Sequence, residues 1–475
     1  MRLVPVLGCA LLAACTASSD EVKPPAAQLF FPTGIAVAPD ETVAFVTNAN
    51  SELRYDSGSI QVIDLNHVQS TIDAWLTQMS IPDGCEQDSD HTEALICDES
   101  LFINGDAGVR IGNFATDIAV QDLGSKNLRL IIPTRGDPSV AWVNWDGNSA
   151  QLSCNSNGEP EALCDDAHRL SYVQNNADLA GIPEEPFGVF ADSAGEFAMV
   201  THLTTGAVTL IDSPRNSDRV QIADVLTGIF AADTSTGLRG ATGIVGRLPT
   251  AAGDTIYVGS RSEDRIQTFT VGRPINDAPP YMLPGNWFFL DAVGGNNGGS
   301  NDTRGMAASA DGSRLYMVNR KPPSIQIWDT SIGPTGYPRN KAQGATDICR
   351  QGSTVAISGS GDAERAYVTC FQDGQVYVID PRGSVTVEDI VLVGRGPFAA
   401  AAAKTKNKLL VTNFLEDTIA VVDTSRTLFI RLHSSAGKEL CQCIVTDTSK
   451  PESLSINIGL FDFQFIIVEN LLTRN

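Results

Sequence analysis

Residues 396–425, GPFAAAAAKTKNKLLVTNFLEDTIAVVDTS, hold three short apolar runs parted by turn formers. The runs fall at 398–403, 409–411 and 418–422. Thr405-Lys406-Asn407 and Leu415-Glu416-Asp417 separate them, and Asp423-Thr424-Ser425 closes the last. Runs of this length, rich in Val, Ile and Thr, predict consecutive antiparallel strands. One such unit cannot hide both of its faces, so it needs copies. Six further stretches repeat the pattern, opening at Phe31, Phe114, Pro186, Ala241, Thr303 and Ser353. Pro39-Asp40 and Asp311-Gly312 are tight-turn pairs between the first two runs of their units. Triplets such as Val46-Thr47-Asn48 and Val411-Thr412-Asn413 end the second run. Aspartate ends the third at Asp64, Asp146, Asp212, Asp329, Asp380 and Asp423, where its side chain can cap the next turn.

Within a unit the runs are strands A, B and C, followed by a less regular D. In the first unit A is expected at 34–37, B at 42–46, C at 59–63 and D at 70–81. A length of 475 residues alone would suggest two or three domains. Seven units of roughly 40–45 residues each override that prior. The phrases PTGIAVAPDETVAFVTN, DGSRLYMVN with SIQIWDTS, and KLLVTNFLEDTIAVVDTS resemble the YVTN-type β-propeller repeat. The resemblance implies an all-β fold, a seven-bladed propeller of four-stranded antiparallel blades with loop insertions, over residues 31–432. The fourth unit departs most, with Phe269-Thr270-Val271 where aspartate would stand, and the second has Pro133-Thr134-Arg135 for the triplet. Stretches 83–100, 152–182, 227–239 and the glycine-rich 294–301 read as insertions. No sustained helical period is evident, so little helix is expected.

The chain's net charge of −23 sets up a field that repels nucleic acid, so no nucleic-acid partner is expected. The N-terminus, MRLVPVLGCALLAACTASSDEVKPP, places one Arg before an apolar run too short to span a bilayer. Its ending, Leu12-Ala13-Ala14-Cys15, resembles a bacterial lipoprotein signal. That resemblance implies a signal peptide at 1–14, cleavage before Cys15 and lipidation of Cys15, with residues 15–30 as a tether. Thr16, in place of Asp, favours the outer membrane in a Gram-negative host, on either its periplasmic or its exposed face. The alternative is an ordinary secretory leader. The tail at 433–475 carries an apolar run, 456–468, that pattern alone does not place.

An export signal makes disulfides permissible. Cys85–Cys97 and Cys154–Cys164 each close a polar insertion. In an antiparallel blade the D–A loop and the end of strand B share one rim, which brings Cys349 to Cys370. Cys441 and Cys443 are too close in sequence for a relaxed bridge and stay open. Without CxxCH or paired CxxC, neither c-type haem nor structural zinc is expected, and no cofactor is.

The same rim logic collects the residues that end strand B: Asn48, Arg135, His202, Arg261, Arg320, Phe371 and Asn413, with Arg304 at the start of a strand A. Arginines clustered in so acidic a chain suit a carboxylate or phosphate, so the expected ligand is an anionic small molecule or an envelope protein's acidic segment. The competing expectation pairs these arginines with Asp137, Glu263 and Asp264. His202 could act as a general base, but no GxSxG nucleophile accompanies it. Glu86, Asp88 and Asp90 start like a calcium loop without continuing in register, and His67, His91, His168 and His433 lack metal spacing, so no metal site is expected. The glycine-rich 294–301 lacks the GK[ST] ending of a phosphate loop. Three functions remain. The leading one is a cell-envelope binding or scaffold propeller. The second is an enzyme, because some relatives in shape are lactonases or quinone-dependent dehydrogenases. The third is a structural surface protein.

Overall fold

The computed structural model describes residues 21–433 apart from 79, 90–93, 156–161, 172–180, 193, 234–235, 275–277, 291–300 and 426–427. The leader with Cys15, His91, most of the glycine-rich insertion and the tail beyond 433 with Cys441 and Cys443 lie outside the described residues.

Seven antiparallel sheets follow one another along the chain, each with the sequential order A-B-C-D at its centre. Strand A of the blades runs from Pro32–Val37 in the first to Pro397–Ala403 in the seventh. Each blade is a sheet with both faces covered, and the alternation along strand B shows how. In Arg314–Arg320 of blade 5, Leu315 and Met317 join the blade 4 cluster around Tyr257 and Ile266, while Tyr316 and Val318 join Val355 and Val368 of blade 6. Side chains of period two therefore serve two seams at once. The core divides accordingly into one apolar cluster per seam, with that between blades 7 and 1 uniting Val46 with Leu410 and Val421. The ring is closed.

Closure does not depend on strand A contacts alone. The insertion after strand C of blade 1 forms a hairpin, Cys85–Gln87 with Leu95–Asp98, whose second strand pairs in parallel with Leu428–His433, the D strand of blade 7. A piece of blade 1 thus extends the sheet of blade 7. Cys85–Cys97 ties this hairpin, and Cys154–Cys164 and Cys349–Cys370 are also bonded, as the sequence predicts.

Two expectations are corrected. Residues 70–81 are not strand D of blade 1. A helix spans Leu65–Gln78, and strand D is Val109–Ile111. Asp64 accepts hydrogen bonds from the Asn66 and His67 amides and starts the helix, and Leu65, Val68 and Ile72 bury a helical stripe against the blade 7–1 seam. That stripe is a three-to-four spacing, overlooked in a chain otherwise built on period two. Nor are residues 21–30 a free tether. Leu29 and Phe30 are 2% exposed, and Asn48 Oδ1 accepts the Phe30 amide. Further out, Arg110 pairs with Glu21. No helix among the described residues is long and apolar enough to cross a membrane.

Candidate functional site: the strand-B mouth

One local structure repeats in all seven blades and builds this mouth. The residue just before strand A is left-handed: Phe31, Phe114, Glu185, Gly240, Asp302, Gln351 and Gly396 have φ between 47° and 68°. Its carbonyl accepts the amide of the residue following the A-paired end of strand B, at 2.8 Å for Arg261 to Gly240 and 3.3 Å for Arg320 to Asp302. The chain must turn sharply from the outer strand of one blade into the inner strand of the next, and the left-handed residue makes that turn. At Gly240 the side chain is absent for a reason. A Cβ there would lie 2.1 Å from Arg261 Cγ, so glycine lets the arginine cross the rim.

The register separates residues that the sequence groups together. Asn48, His202 and Asn413 pair directly with the first residue of strand A (Pro32, Pro186 and Pro397). Arg135, Arg261 and Phe371 come one step later, and Arg320 follows Asn319, which pairs with Thr303. The true equivalents of Asn48, His202 and Asn413 on the rim are Ala49, Leu203 and Phe414. Asn48 and Asn413 are fully buried and bind backbone and hydroxyl groups, Asn413 donating to the Val393 carbonyl and to Thr418.

His202 is likewise sealed in. Its Nδ1 lies 3.3 Å from the Glu184 carbonyl, which assigns the proton to that nitrogen. Nε2 then accepts from Thr209 Oγ1 at 2.8 Å. The lone pair a general base would use is already occupied. Burial lowers the ring's pKa from 6.5 to about 4, against the opposing backbone contacts with Glu184 and Pro183. The unfolded chain therefore binds the extra proton first. Stability from this group is complete above pH 6.5 and declines as pH falls towards 4, by about 3 kcal/mol in all. We expect the His202 ring protons to titrate near pH 4 in NMR spectra of the folded chain, and a midpoint near 6.5 would contradict the sealed geometry.

The arginines do come together. Arg135 pairs with Glu185 of the next blade, a carboxylate that also accepts from Thr204. Arg304 Nε donates to Asp302 Oδ1 at 2.7 Å, and Arg261 Nε approaches the same oxygen from the preceding blade at 3.9 Å. Asp137 and Glu263 pair elsewhere, with Arg169 and Arg265. Burial lowers the pKa of Arg304; Asp302 opposes that, and the charges of Arg261 and Arg135 add to it. Burial takes Arg320 down to about 10, with Arg304 and Arg261 contributing. Burial alone would raise Glu185, but hydrogen bonds from Thr204 and Arg135 and the charges of Arg135 and Arg261 hold it below its ordinary value. Residues from four blades thus feel one another, and four guanidinium groups converge beside the carboxylates of Glu185 and Asp302 in a chain of net charge −23.

Arg320 has a second task. Threonine hydroxyls stitch neighbouring inner strands at several seams, as Thr201 does to the Thr242 carbonyl at 2.8 Å. Between blades 5 and 6 the equivalent strand-B residue is Val318, and Arg320 bridges instead, Nε to the Gly352 carbonyl at 2.9 Å and Nη2 to Ser353 Oγ at 3.3 Å.

The opposite mouth differs. Among the A–B turns of blades 1 to 4 lies a cavity of about 420 Å³ lined by Pro39, Asp122, Phe190, Asp192, Arg247 and Asp254, among others. Its carboxylates are engaged, Asp254 with Arg273 at 2.7 Å and Asp192 with the Glu196 and Phe197 amides. Among the described residues no group of three or more His, Cys, Asp or Glu side chains is arranged to hold a metal ion.

No family model matches this chain, and neither does any curated protein. Solved structures do resemble it. A protein from Lactobacillus plantarum aligns with 13% identity and a TM-score of 0.52, over 85% of this chain and 96% of its own. The periplasmic gluconolactonase PpgL of Pseudomonas aeruginosa gives 14% identity and 0.49, over 77% and 86%. The Cps50 (Swd1) β-propeller domain of Myceliophteria thermophila gives 10% and 0.49, over 85% and 99%. At such identities the likeness is one of fold: the chain is a seven-bladed β-propeller.

Proposed function

We propose that this protein is a binding propeller of the cell envelope that takes an anionic ligand or an acidic partner segment at the strand-B mouth. The observation that carries the reading is the convergence of Arg135, Arg261, Arg304 and Arg320, drawn from several blades to one place. Guanidinium groups present fixed planar donors, and partial dehydration strengthens their pull on an oxyanion. The LAAC sequence at 12–15 supports lipid anchoring at Cys15, and three disulfides suit an oxidising compartment. With His202 sealed, the enzymatic reading loses the base that the sequence offered it at this rim.

The test is titration of the chain with acetate and inorganic phosphate, followed by calorimetry or amide NMR shifts. Arg135→Gln with Arg261→Gln should weaken binding at least roughly tenfold, since each charged hydrogen bond contributes about 1.5 kcal/mol or more. These two positions are chosen because Arg320 also ties two blades together. Unchanged affinity in the double variant would remove the site. For the anchor, Cys15→Ser should shift the protein from the membrane to the soluble fraction of its host. Retention in the membrane would exclude a lipid attached there.

A further inference from the structure

The arginines fill only part of the circle. In blades 6 and 7 the corresponding positions are aromatic, and Phe31 of blade 1 adjoins them. Phe371 and Phe414 occupy the rim place that Arg135, Arg261 and Arg320 hold elsewhere, and Phe398 is the second residue of its strand A, as Arg304 is of its own. Their rings touch in series. Phe371 and Phe414 are 6.2 Å apart, Phe398 and Phe414 6.0 Å, and Phe414 rests on Phe31 of blade 1 at 5.5 Å. Phe371, Phe398 and Phe414 are each only half-buried, whereas Phe45, Phe197 and Phe269 in the seams between blades are fully covered. The aromatic arc also abuts the basic one. Arg320 reaches the carbonyl of Gly352 and the hydroxyl of Ser353, and Ser353 stands between Arg304 and Phe398 in ring order.

A mouth that is cationic on one arc and aromatic on the next is matched by a molecule that is itself divided. This inference rests on the anion-binding reading above and narrows it. We propose that the mouth takes an amphiphilic organic oxyanion, its carboxylate or phosphate on Arg135, Arg261 and Arg304 and a flat apolar group on Phe371, Phe398 and Phe414. Ring faces offer stacking and area burial that a bare inorganic anion cannot use, and the charged groups fix which end points where.

Four probes separate the terms: acetate, inorganic phosphate, naphthalene-2-carboxylate and 2-naphthyl phosphate, each titrated into the full chain. The naphthyl compounds should bind at least roughly 30-fold more tightly than the small anion with the same head group, the gain expected from burying a bicyclic face. The better of the two naphthyl probes identifies the head group. Phe398→Leu with Phe414→Leu should reduce that gain to about threefold while leaving acetate and phosphate affinity unchanged. Should that variant not fold, nuclear Overhauser contacts between naphthyl protons and phenylalanine rings in the unaltered protein report the same placement, and their absence counts against it. If small anions bind through the arginines and the naphthyl group adds nothing, the amphiphilic ligand is excluded and the anion site stands. If no probe binds, both are excluded.

Discussion

Gly305→Ala should lower the stability of the ring by about 3 kcal/mol or more, the upper end of what forced overpacking costs. Gly305 is the third residue of strand A in blade 5. A Cβ built there lies 2.4 Å from Thr354 Cα and 2.8 Å from Thr354 C, both backbone atoms of the inner strand of blade 6. No side chain can rotate away to relieve the clash, so two blades must separate at the narrowest part of the ring. Gly34, Gly188 and Gly243 hold the same place in their blades, with equivalent distances of 2.7, 2.5 and 2.6 Å to the next blade's backbone. In these four blades the next inner strand approaches too closely for a methyl group, whereas blades 2, 6 and 7 carry Asp117, Thr354 and Ala399 at the same place. Gly333→Ala is the control, since its nearest atom is 3.4 Å away and its φ is not left-handed. It should change stability by less than about 0.5 kcal/mol. Equal denaturant midpoints for the two variants would reject this account of the axis.

The propeller was legible because its strands are buried on both faces and punctuated at regular intervals. Short apolar runs with turn formers between them can only be satisfied by neighbours on either side, and the seven seam clusters are those neighbours. The disulfides were legible for the same reason: rim topology places Cys349 beside Cys370 before any distance is known. What stayed hidden depended on single residues without a pattern. Glu185 and Asp302 neutralise part of the arginine cluster, yet each is one residue in a D–A loop, at a left-handed position where other blades carry Phe, Gly or Gln. The one-step difference between Asn48, His202 and Asn413 and the arginines follows from strand register, which insertions such as 152–182 obscure. The aromatic arc had a signal that could have been used, since Phe371 and Phe414 follow strand B just as Arg135 does. The helix at Leu65–Gln78 was lost because the surrounding period-two pattern set the expectation.

Replacing Thr412 by valine should open the ring where its two ends meet. The Thr412 hydroxyl accepts the Ala399 amide at 3.0 Å, bridging the register shift in strand A of blade 7, and donates to the Thr33 carbonyl of blade 1 at 2.8 Å. Valine keeps the shape and removes both bonds, leaving an amide and a carbonyl without this partner in a fully buried place. Each such group costs about 1–3 kcal/mol, so a loss of about 2–6 kcal/mol is expected. Thr201→Val deletes the same pair of bonds, to the Gly188 amide and the Thr242 carbonyl, between blades 3 and 4. Those blades adjoin along the chain, whereas blades 7 and 1 are joined only through space. Their other polar links lie further out, among them the Phe31 amide on Asp417 at 2.6 Å, Glu41 gathering the Thr405 and Lys406 amides, and the parallel pairing of Leu95–Asp98 with Leu428–His433, around the apolar cluster of Val46, Leu410 and Val421. Thr412→Val should therefore accelerate hydrogen exchange of blade 1 strand A amides such as Ile35 before the rest of the ring responds, and Thr201→Val should not. Thr412→Ser, which restores both bonds, should return exchange to its original rate. Equal acceleration at both seams would mean that the ring unfolds as a whole and has no weakest joint.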